Sequence, residues 1–233
     1  MFLKKLKIEV VENWRDALSN KYYFLSLIVG VLFFIFGLYL NNISSVYNDS
    51  AGAYVSVGDF ILNRIETYNL EFFYSWGMYL TIVLIVVFSF LFKPSKGPFI
   101  FKTFGLLYVV RAFFILLTHV GPPVGFFYDE SLPGAMVASK FLFRNDLFFS
   151  GHVAVPFIAF LLFKGTRFRW VFFVVAILMT ITVLLMHIHY SIDVFAAYFI
   201  AHSVYVFSDM VSDFFSIKTV KKIKEIQEEI VSK

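Results

Sequence analysis

The stretch His187-Ile188-His189-Tyr190-Ser191-Ile192-Asp193 lies between two apolar segments. Residues four apart share a helix face, so Asp193 is expected to orient or electrostatically support His189. A second acid and histidine, Asp146 and His152, open another apolar segment in Asp146-Leu147-Phe148-Phe149-Ser150-Gly151-His152. Two histidines and two carboxylates at one membrane surface suit phosphoryl chemistry, in which one histidine attacks phosphorus and the other protonates the leaving oxygen.

A structural role is the alternative for each of these residues. A lone histidine at a segment boundary is more often an interfacial polar residue that caps a helix, and His202 is expected to form only a hydrogen bond to a neighbouring helix. Ionisable residues in membrane segments are costly and usually functional, however. Because four of them occupy matched positions, the pattern favours a catalytic site.

The composition indicates a polytopic membrane protein. Hydrophobic residues make up 60% of the 233 residues, mean hydropathy is +0.79, and 33 residues are phenylalanine. This excludes an ordinary soluble domain. The absence of cysteine excludes disulfides and thiolate metal sites. The net charge of +4 lies in segments that flank apolar runs, so a nucleic-acid partner is not expected.

The hydropathy pattern predicts an all-α fold, a bundle of six transmembrane helices with short surface helices. The predicted catalytic domain is 22–207, preceded by an amphipathic membrane-surface helix at 1–21 and followed by a basic cytosolic tail at 208–233. A short apolar stretch, Leu132–Phe143, predicts a surface or re-entrant helix. The spans are expected at about Tyr22–Leu40, Phe72–Phe92, Phe99–Val120, Phe148–Phe163, Trp170–Met186 and Ile192–Phe207.

The distribution of basic residues predicts the topology. Sixteen of the twenty Lys and Arg residues fall in the N-terminal segment, around 93–102, in 164–169 and in the tail. Six spans place these four regions on one side, and the positive-inside rule makes that side the cytosol. Both termini are therefore expected in the cytosol, with His152, His189 and Asp193 near the periplasmic or exoplasmic face.

Several motifs resemble the sphingomyelin synthase family, a branch of the type 2 phosphatidic acid phosphatase superfamily. The resemblance covers most of residues 54–205 and includes a weaker match at Val57-Gly58-Asp59. It rests on Leu107-Tyr108-Val109-Val110-Arg111, Thr118, Pro122-Pro123, Asp146-Leu147-Phe148-Phe149-Ser150-Gly151-His152 and His189-Tyr190-Ser191-Ile192-Asp193-Val194.

The resemblance implies a role for each motif residue. His189 would be the nucleophile with Asp193 as its orienting partner, and His152 would protonate the leaving alcohol and then deprotonate the acceptor. Asp146 would support one histidine. The candidate phosphate-binding or substrate-binding residues are Arg111, Tyr108, Ser150, Tyr190 and His119. Two histidines can supply both attack and protonation, so no metal and no cofactor are expected.

The leading functional hypothesis is a lipid phosphotransferase that moves phosphocholine or phosphoethanolamine from a glycerophospholipid to a lipid alcohol such as ceramide or diacylglycerol. Its partners would be phospholipid and lipid-alcohol substrates in the membrane. One alternative is a lipid phosphatase or phospholipase C-type hydrolase that uses the same site. A second alternative is a non-catalytic lipid-binding or transporter-like protein.

Overall fold

The computed structural model describes residues 2–52, 54–128 and 145–214, and the expectation of an all-helical fold is confirmed there. No β-strand occurs in these ranges. Two short 3-10 helices span Leu62–Arg64 and Pro94–Lys96. The α-helices are α1 (Phe2–Ser19), α2 (Tyr23–Ser50), α3 (Glu71–Phe92), α4 (Gly97–Leu117), α5 (Gly151–Leu162), α6 (Arg169–Leu185) and α7 (Ser191–Phe214).

Four of the six predicted spans are helices long and apolar enough to cross a membrane: α2, α3, α7 and the Pro94–Leu117 segment that contains α4. The other two, α5 and α6, have 12 and 17 residues, fewer than the roughly 20 that cross a hydrocarbon core. Helix α5 begins at Gly151 rather than Phe148, and α6 ends before His187, whose φ is +52°. Residues 146–150 and 187–190 of the two site motifs therefore lie on non-helical backbone, before α5 and after α6 respectively.

Helix α2, which forms the first predicted span, is longer than the sequence predicts. The span expected to end at Leu40 continues as α2 to Ser50, so the predicted polar loop from Asn41 is helical over its first ten residues. Ser44, Ser45 and Asn48 are buried on this extension, because their polar groups face other parts of the protein rather than lipid. Hydropathy alone ended the helix too early.

The last predicted span also ends later in the structure than the sequence predicts. Helix α7 extends beyond Phe207 to Phe214, into the predicted tail. The predicted helix at Leu132–Phe143 and the remaining tail, 215–233, lie outside the described residues.

Helices α2 and α4 pack closely along a seam of small residues. A Cβ at Gly37 would lie 2.5 Å from the carbonyl oxygen of Gly105, and a Cβ at Gly105 would lie 2.7 Å from the Phe33 ring. Glycine at both positions lets the two backbones approach, as is common where helices associate in membranes. This contact fixes α4, and with it Arg111, against the C-terminal part of α2.

Helix α5 lies at the centre of the hydrophobic core. Its Ile158 and the flanking Phe163 are fully buried, and Phe163 stacks on Phe172 of α6 with ring centroids 5.1 Å apart. Helix α7 contributes Val194, which is also fully buried. Phe149, just before α5, completes this core and anchors the segment that carries the second motif.

Helix α1 contacts the bundle through one side. The Trp14 ring lies 5.7 Å from that of Phe90 on α3, and Ala17 is buried. The helix exists where the sequence predicts it, and its position on a membrane surface stays a prediction.

Candidate active site

The predicted catalytic residues converge at one end of the bundle. Helices α2 and α4 bring their C-terminal turns there, while α3, α5 and α7 bring their N-terminal turns. The exposed fractions of His189, Asp193, Arg111 and Asp146 are 4%, 2%, 7% and 9%. Residues far apart in the chain therefore form one buried polar cluster.

The His189 ring is fixed by a backbone carbonyl. Its Nδ1 lies 2.8 Å from the carbonyl oxygen of Leu147, which can only accept a hydrogen bond. Nδ1 must therefore carry the proton in the neutral ring, and Nε2 keeps its lone pair. This tautomer makes Nε2 the nucleophilic atom of the cluster.

Asp193 supports His189 across space rather than by a hydrogen bond. His189 Nδ1 and Asp193 Oδ2 are 3.7 Å apart, and His189 lies just before α7 instead of on it. Asp193 Oδ2 accepts the backbone N–H of Tyr190 at 3.0 Å, as the third residue of a helix does when it caps the N-terminus. The carboxylate thus fixes the turn that carries His189 and adds negative charge beside the ring.

The two motifs run side by side. The bond between Leu147 and His189 joins them at one end, and the Ser150 N–H donates to the Asp193 carbonyl at 3.3 Å at the other. Ser150 precedes α5, but its hydroxyl makes no capping bond, and the fully buried Oγ has no partner among the described residues. Ser150 Oγ and the first N–H groups of α5 are thus available to an anion.

Arg111 makes hydrogen bonds through all three of its side-chain nitrogen atoms. Its Nη2 lies 2.8 Å from Asp146 Oδ1, its Nη1 donates to Asp146 Oδ2 at 2.8 Å and to Asn41 Oδ1 at 2.9 Å, and its Nε donates to the Phe149 carbonyl at 3.1 Å. A further contact of 3.5 Å joins Nη2 to the Asp146 carbonyl. Four hydrogen bonds thus use four of the five N–H donors of the guanidinium group, because the approach of Nη2 to Oδ1 is an ion-pair contact without hydrogen-bond geometry.

The carboxylate of Asp146 therefore binds Arg111, although the sequence predicted a histidine as its partner. Its second interaction is with Ser45 on α2, whose hydroxyl donates to Oδ2 at 2.9 Å. Among the described residues, the Asp146 carboxylate therefore contacts α2 through Ser45 and α4 through Arg111.

Sequence reasoning missed the contribution of α2. Besides Asn41 and Ser45, the Asn48 side chain donates to the carbonyls of Thr118 and Asn145 at 3.1 and 2.7 Å. The spacing of Asn41, Ser45 and Asn48 puts them on one helix face, which is the signal that could have found them. They tie the segment before α5 to α2.

His152 lies in the first turn of α5 and stacks on Tyr74 of α3. The ring centroids are 3.9 Å apart and the planes differ by 18°. His152 is half-buried. No hydrogen bond to its side chain occurs among the described residues, so the stack with Tyr74 fixes its plane while both nitrogens stay available.

Asp59 belongs to the weaker motif match at Val57-Gly58-Asp59, but in the structure its carboxylate joins two segments of the chain. Its Oδ2 accepts from the N–H and hydroxyl of Ser191 at 2.7 and 2.8 Å, and its Oδ1 accepts from the N–H groups of Ile61 and Leu62 at 2.8 and 2.9 Å. Burial raises the pKa of Asp59, but these four hydrogen bonds outweigh it and hold the pKa below its usual range. Asp59 thereby anchors the α2–α3 loop to the N-terminus of α7.

The other predicted binding residues do not all face the cluster. The Tyr190 hydroxyl donates to the Gly121 carbonyl at 2.8 Å and accepts from the Val57 N–H at 3.0 Å, so it joins two loops. His119 is exposed and contacts the Tyr54 ring edge-on at 5.3 Å. Tyr108 lies one turn before Arg111 on α4 and lines an apolar cavity.

His187 is a further buried histidine at the site's edge. Its Nδ1 bonds to the Val124 carbonyl at 2.7 Å, which leaves a buried Nε2 without a partner in the described part of the chain. Those same residues contain no group of three or more His, Cys, Asp or Glu side chains that could hold a metal ion.

Comparison with known proteins gives one match. The family model described as PAP2 superfamily C-terminal matches residues 145–210, which contain α5, α6, α7 and both histidine motifs. Members of this superfamily are phosphatases or phosphotransferases, and the match does not distinguish the sphingomyelin synthase branch. No curated protein and no solved structure matches the chain. The matched segment fits a lipid phosphatase or phosphotransferase, and the four helices long and apolar enough to span a membrane suggest a membrane protein.

Proposed function

We propose that the protein is a lipid phosphotransferase that works through a phosphohistidine at His189. It would take a phospho-headgroup, such as phosphocholine or phosphoethanolamine, from a glycerophospholipid and pass it to a lipid alcohol such as ceramide or diacylglycerol. The observation that carries this proposal is the bond from His189 Nδ1 to Leu147, because it leaves Nε2 as a fixed, unprotonated nucleophile.

The phosphate has a cradle next to that nucleophile. The buried Ser150 hydroxyl and the N-terminus of α5 offer donors and a favourable dipole to the oxygens of a phosphoryl group. Such fixed donors stabilise the charge that develops on the equatorial oxygens during in-line transfer. The segment that carries them is joined to the His189 turn at both ends.

Arg111 would act mainly through its charge and by shaping the cradle. Four of its five N–H donors are hydrogen-bonded within the protein, which leaves one Nη2 donor for a phosphate oxygen. Through Nε it also holds the Phe149 carbonyl, one residue before Ser150. The guanidinium thus positions the phosphate-binding backbone whether or not it touches phosphate.

His152 would move the proton. As Nε2 of His189 forms a bond to phosphorus, the bond from phosphorus to the diacylglycerol oxygen breaks and the protonated His152 gives that oxygen its proton. In the second half, His152 takes the proton from the acceptor hydroxyl, whose oxygen bonds to phosphorus as the His189 bond breaks. Asp193, 3.7 Å from the ring, stabilises the cationic phosphohistidine between these steps.

Burial favours a lipid alcohol over water as the acceptor. His189, Asp193 and Ser150 are buried among helices, and a site that excludes water protects a phosphorylated intermediate from hydrolysis. Water is the competing acceptor, and its use would make the protein a hydrolase with the same first step.

The site is proposed to lie on the exoplasmic or periplasmic face. Lys93 and Lys164 lie at the opposite ends of α3 and α5 from Tyr74 and His152, and Lys93 donates to the Lys164 carbonyl at 2.7 Å. Under the positive-inside rule this basic end faces the cytosol.

Lipid mass spectrometry tests the reaction directly. Purified protein is incubated with phosphatidylcholine, phosphatidylethanolamine and ceramide in bilayers, and a new sphingophospholipid together with diacylglycerol is expected. His189→Ala should abolish it, while His202→Ala, a matched change at an exposed position on α7, should retain it. Diacylglycerol with free phospho-headgroup would identify a hydrolase, and no turnover of any lipid would refute the enzyme.

A further inference from the structure

An apolar cavity of about 390 Å³ lies between α1, α2, α3 and α4, and it is open along α3, where Ile82, Val86 and Phe90 are exposed. Its walls are formed largely by aliphatic and aromatic side chains, including Val31 of α2, Ile85 of α3 and Phe104 of α4. Of the three hydroxyl groups in this wall, those of Tyr23 and Ser89 donate to the carbonyls of Pro94 and Ile85, and the third belongs to Tyr108. The cavity therefore suits a hydrocarbon occupant rather than water or a polar ligand.

The inner end of this cavity lies about one helical turn from the candidate active site. Tyr108 lies three residues before Arg111 on α4, and Val155 lies three residues after His152 on α5. Three residues are about one helical turn, or about 5 Å. Both walls at this end are thus one turn away from a residue of the proposed phosphoryl-transfer site.

The cavity is as deep as one lipid chain is long. It extends along α4 from Tyr108 to Gly97, eleven residues away, where Trp14 of α1 and Pro94 also line it. At 1.5 Å per residue this distance is about 16 Å. The hydrocarbon core of a bilayer is about 30 Å thick, so the chains of one leaflet span about 15 Å.

We propose that this cavity binds one acyl chain of the phospholipid substrate, with the ester end at Tyr108 and the methyl end at Gly97. The inference rests on the proposed function, since it places the phosphate of the same lipid beside Ser150 and His189. A lipid held in this way approaches the site through the bundle's hydrocarbon interior, and its chain positions the scissile phosphate.

Photo-crosslinking tests the orientation of the chain. Phosphatidylcholine carrying a diazirine on one acyl chain, either near the ester or at the methyl end, is irradiated with the full-length protein in bilayers. The probe near the ester should label the Tyr108 and Val155 end, and the methyl-end probe should label Gly97 and the buried Ile100. Labelling in the reverse order would show a lipid from the other leaflet, and adducts confined to lipid-facing residues such as Leu80 would show an empty cavity; either would overturn the proposal.

A matched pair of variants tests the depth. Ser89→Phe fills the methyl end of the cavity, whereas Val83→Phe adds a ring to the exposed face of α3. Ser89→Phe should reduce methyl-end labelling at least fivefold and shift turnover toward shorter acyl chains, with Val83→Phe like the wild type. Equal behaviour of the two variants would contradict the proposal.

Binding and chemistry can fail separately in these experiments. Labelling in the cavity without lipid turnover would support the chain site and refute the phosphotransferase. Turnover with labelling only on lipid-facing residues would support the enzyme and refute the chain site.

Discussion

Arg111 and Asp146 form a two-point ion pair in the protein interior, with Nη2–Oδ1 and Nη1–Oδ2 distances of 2.8 Å each. The pair joins α4 to the segment before α5, whose carbonyls and hydroxyl surround His189 and the proposed phosphate. One of the two contacts, from Nη1 to Oδ2, is a charge-assisted hydrogen bond, a short and strong kind of bond. The pair is therefore a structural clamp on the site in addition to a source of positive charge.

Breaking this clamp should destabilise the protein. Asp146→Ala leaves a buried guanidinium unpaired and is expected to cost about 3–5 kcal/mol of folding free energy. Arg111→Met combined with Asp146→Leu removes both charges and should recover most of that stability without recovering turnover. Thermal unfolding in detergent and lipid turnover measure the two effects. A stable Asp146→Ala protein, or an active double variant, would contradict the clamp.

Asp59 should make stability depend on pH. Because its pKa is lowered in the folded protein, the ionised carboxylate stabilises the fold above the ordinary Asp pKa of about 4, and this contribution is lost as pH falls through the folded value. Asp59→Asn should lower stability by about 2 kcal/mol at pH 7, because charged acceptors bind the Ser191 and Leu62 donors more strongly.

Thermal unfolding at several pH values checks this prediction. The difference between Asp59→Asn and the wild type should shrink below about pH 4. Ser191→Ala, which removes one of the four donors, should show a smaller difference. A difference that stays constant from pH 7 to acid would show that the charge of Asp59 does not matter.

Tyr74 should act on catalysis by holding the ring of His152. Tyr74→Phe keeps an aromatic face for the stack, whereas Tyr74→Leu removes it. An aromatic stack contributes about 0.5–1.5 kcal/mol, so Tyr74→Leu should lose roughly threefold to tenfold in turnover and shift the pH dependence of kcat, with Tyr74→Phe near the wild type. Equal loss in both variants would assign the effect to the Tyr74 hydroxyl instead.

The topology can be tested with single cysteines, since the chain contains none. Val55→Cys lies in the loop after α2, at the site end, where the side chain is 82% exposed. Lys164→Cys is exposed at the opposite end. A membrane-impermeant maleimide added to intact cells should label position 55 and not position 164. The reverse labelling would place the candidate site in the cytosol.

The sequence predicted the all-helical fold class and identified residues that the structure brings together in the buried polar cluster. Hydropathy identified α2 to α7, because long apolar runs have few alternatives to helix in a membrane, and amphipathic spacing identified α1. The pairing of His189 with Asp193 followed from four-residue spacing, although the structure places it at a helix N-terminus. The role of Leu147 was not predictable, since a carbonyl acceptor carries no side-chain signal.

The partner of Asp146 could not be read from the sequence for a different reason. Its contacts with Ser45 and Arg111 join residues 101 and 35 positions apart, and only the packing of α2 on α4 brings them together. Hydropathy also ended α2 at Leu40, because Asn41, Ser45 and Asn48 look like a loop until their partners are known. Hydropathy cannot recognise a helical segment whose polar side chains form hydrogen bonds inside a bundle.

The central claim is that Nε2 of His189 forms a covalent bond to phosphorus, and acid-quench trapping of the phospho-enzyme tests it most directly. With p-nitrophenyl phosphocholine, whose leaving group needs no proton, the wild type and His152→Ala should both accumulate a phosphohistidine that mass spectrometry locates at position 189. His189→Ala should accumulate none. A trapped intermediate in His189→Ala that is absent from His152→Ala would show that the roles of the two histidines are exchanged.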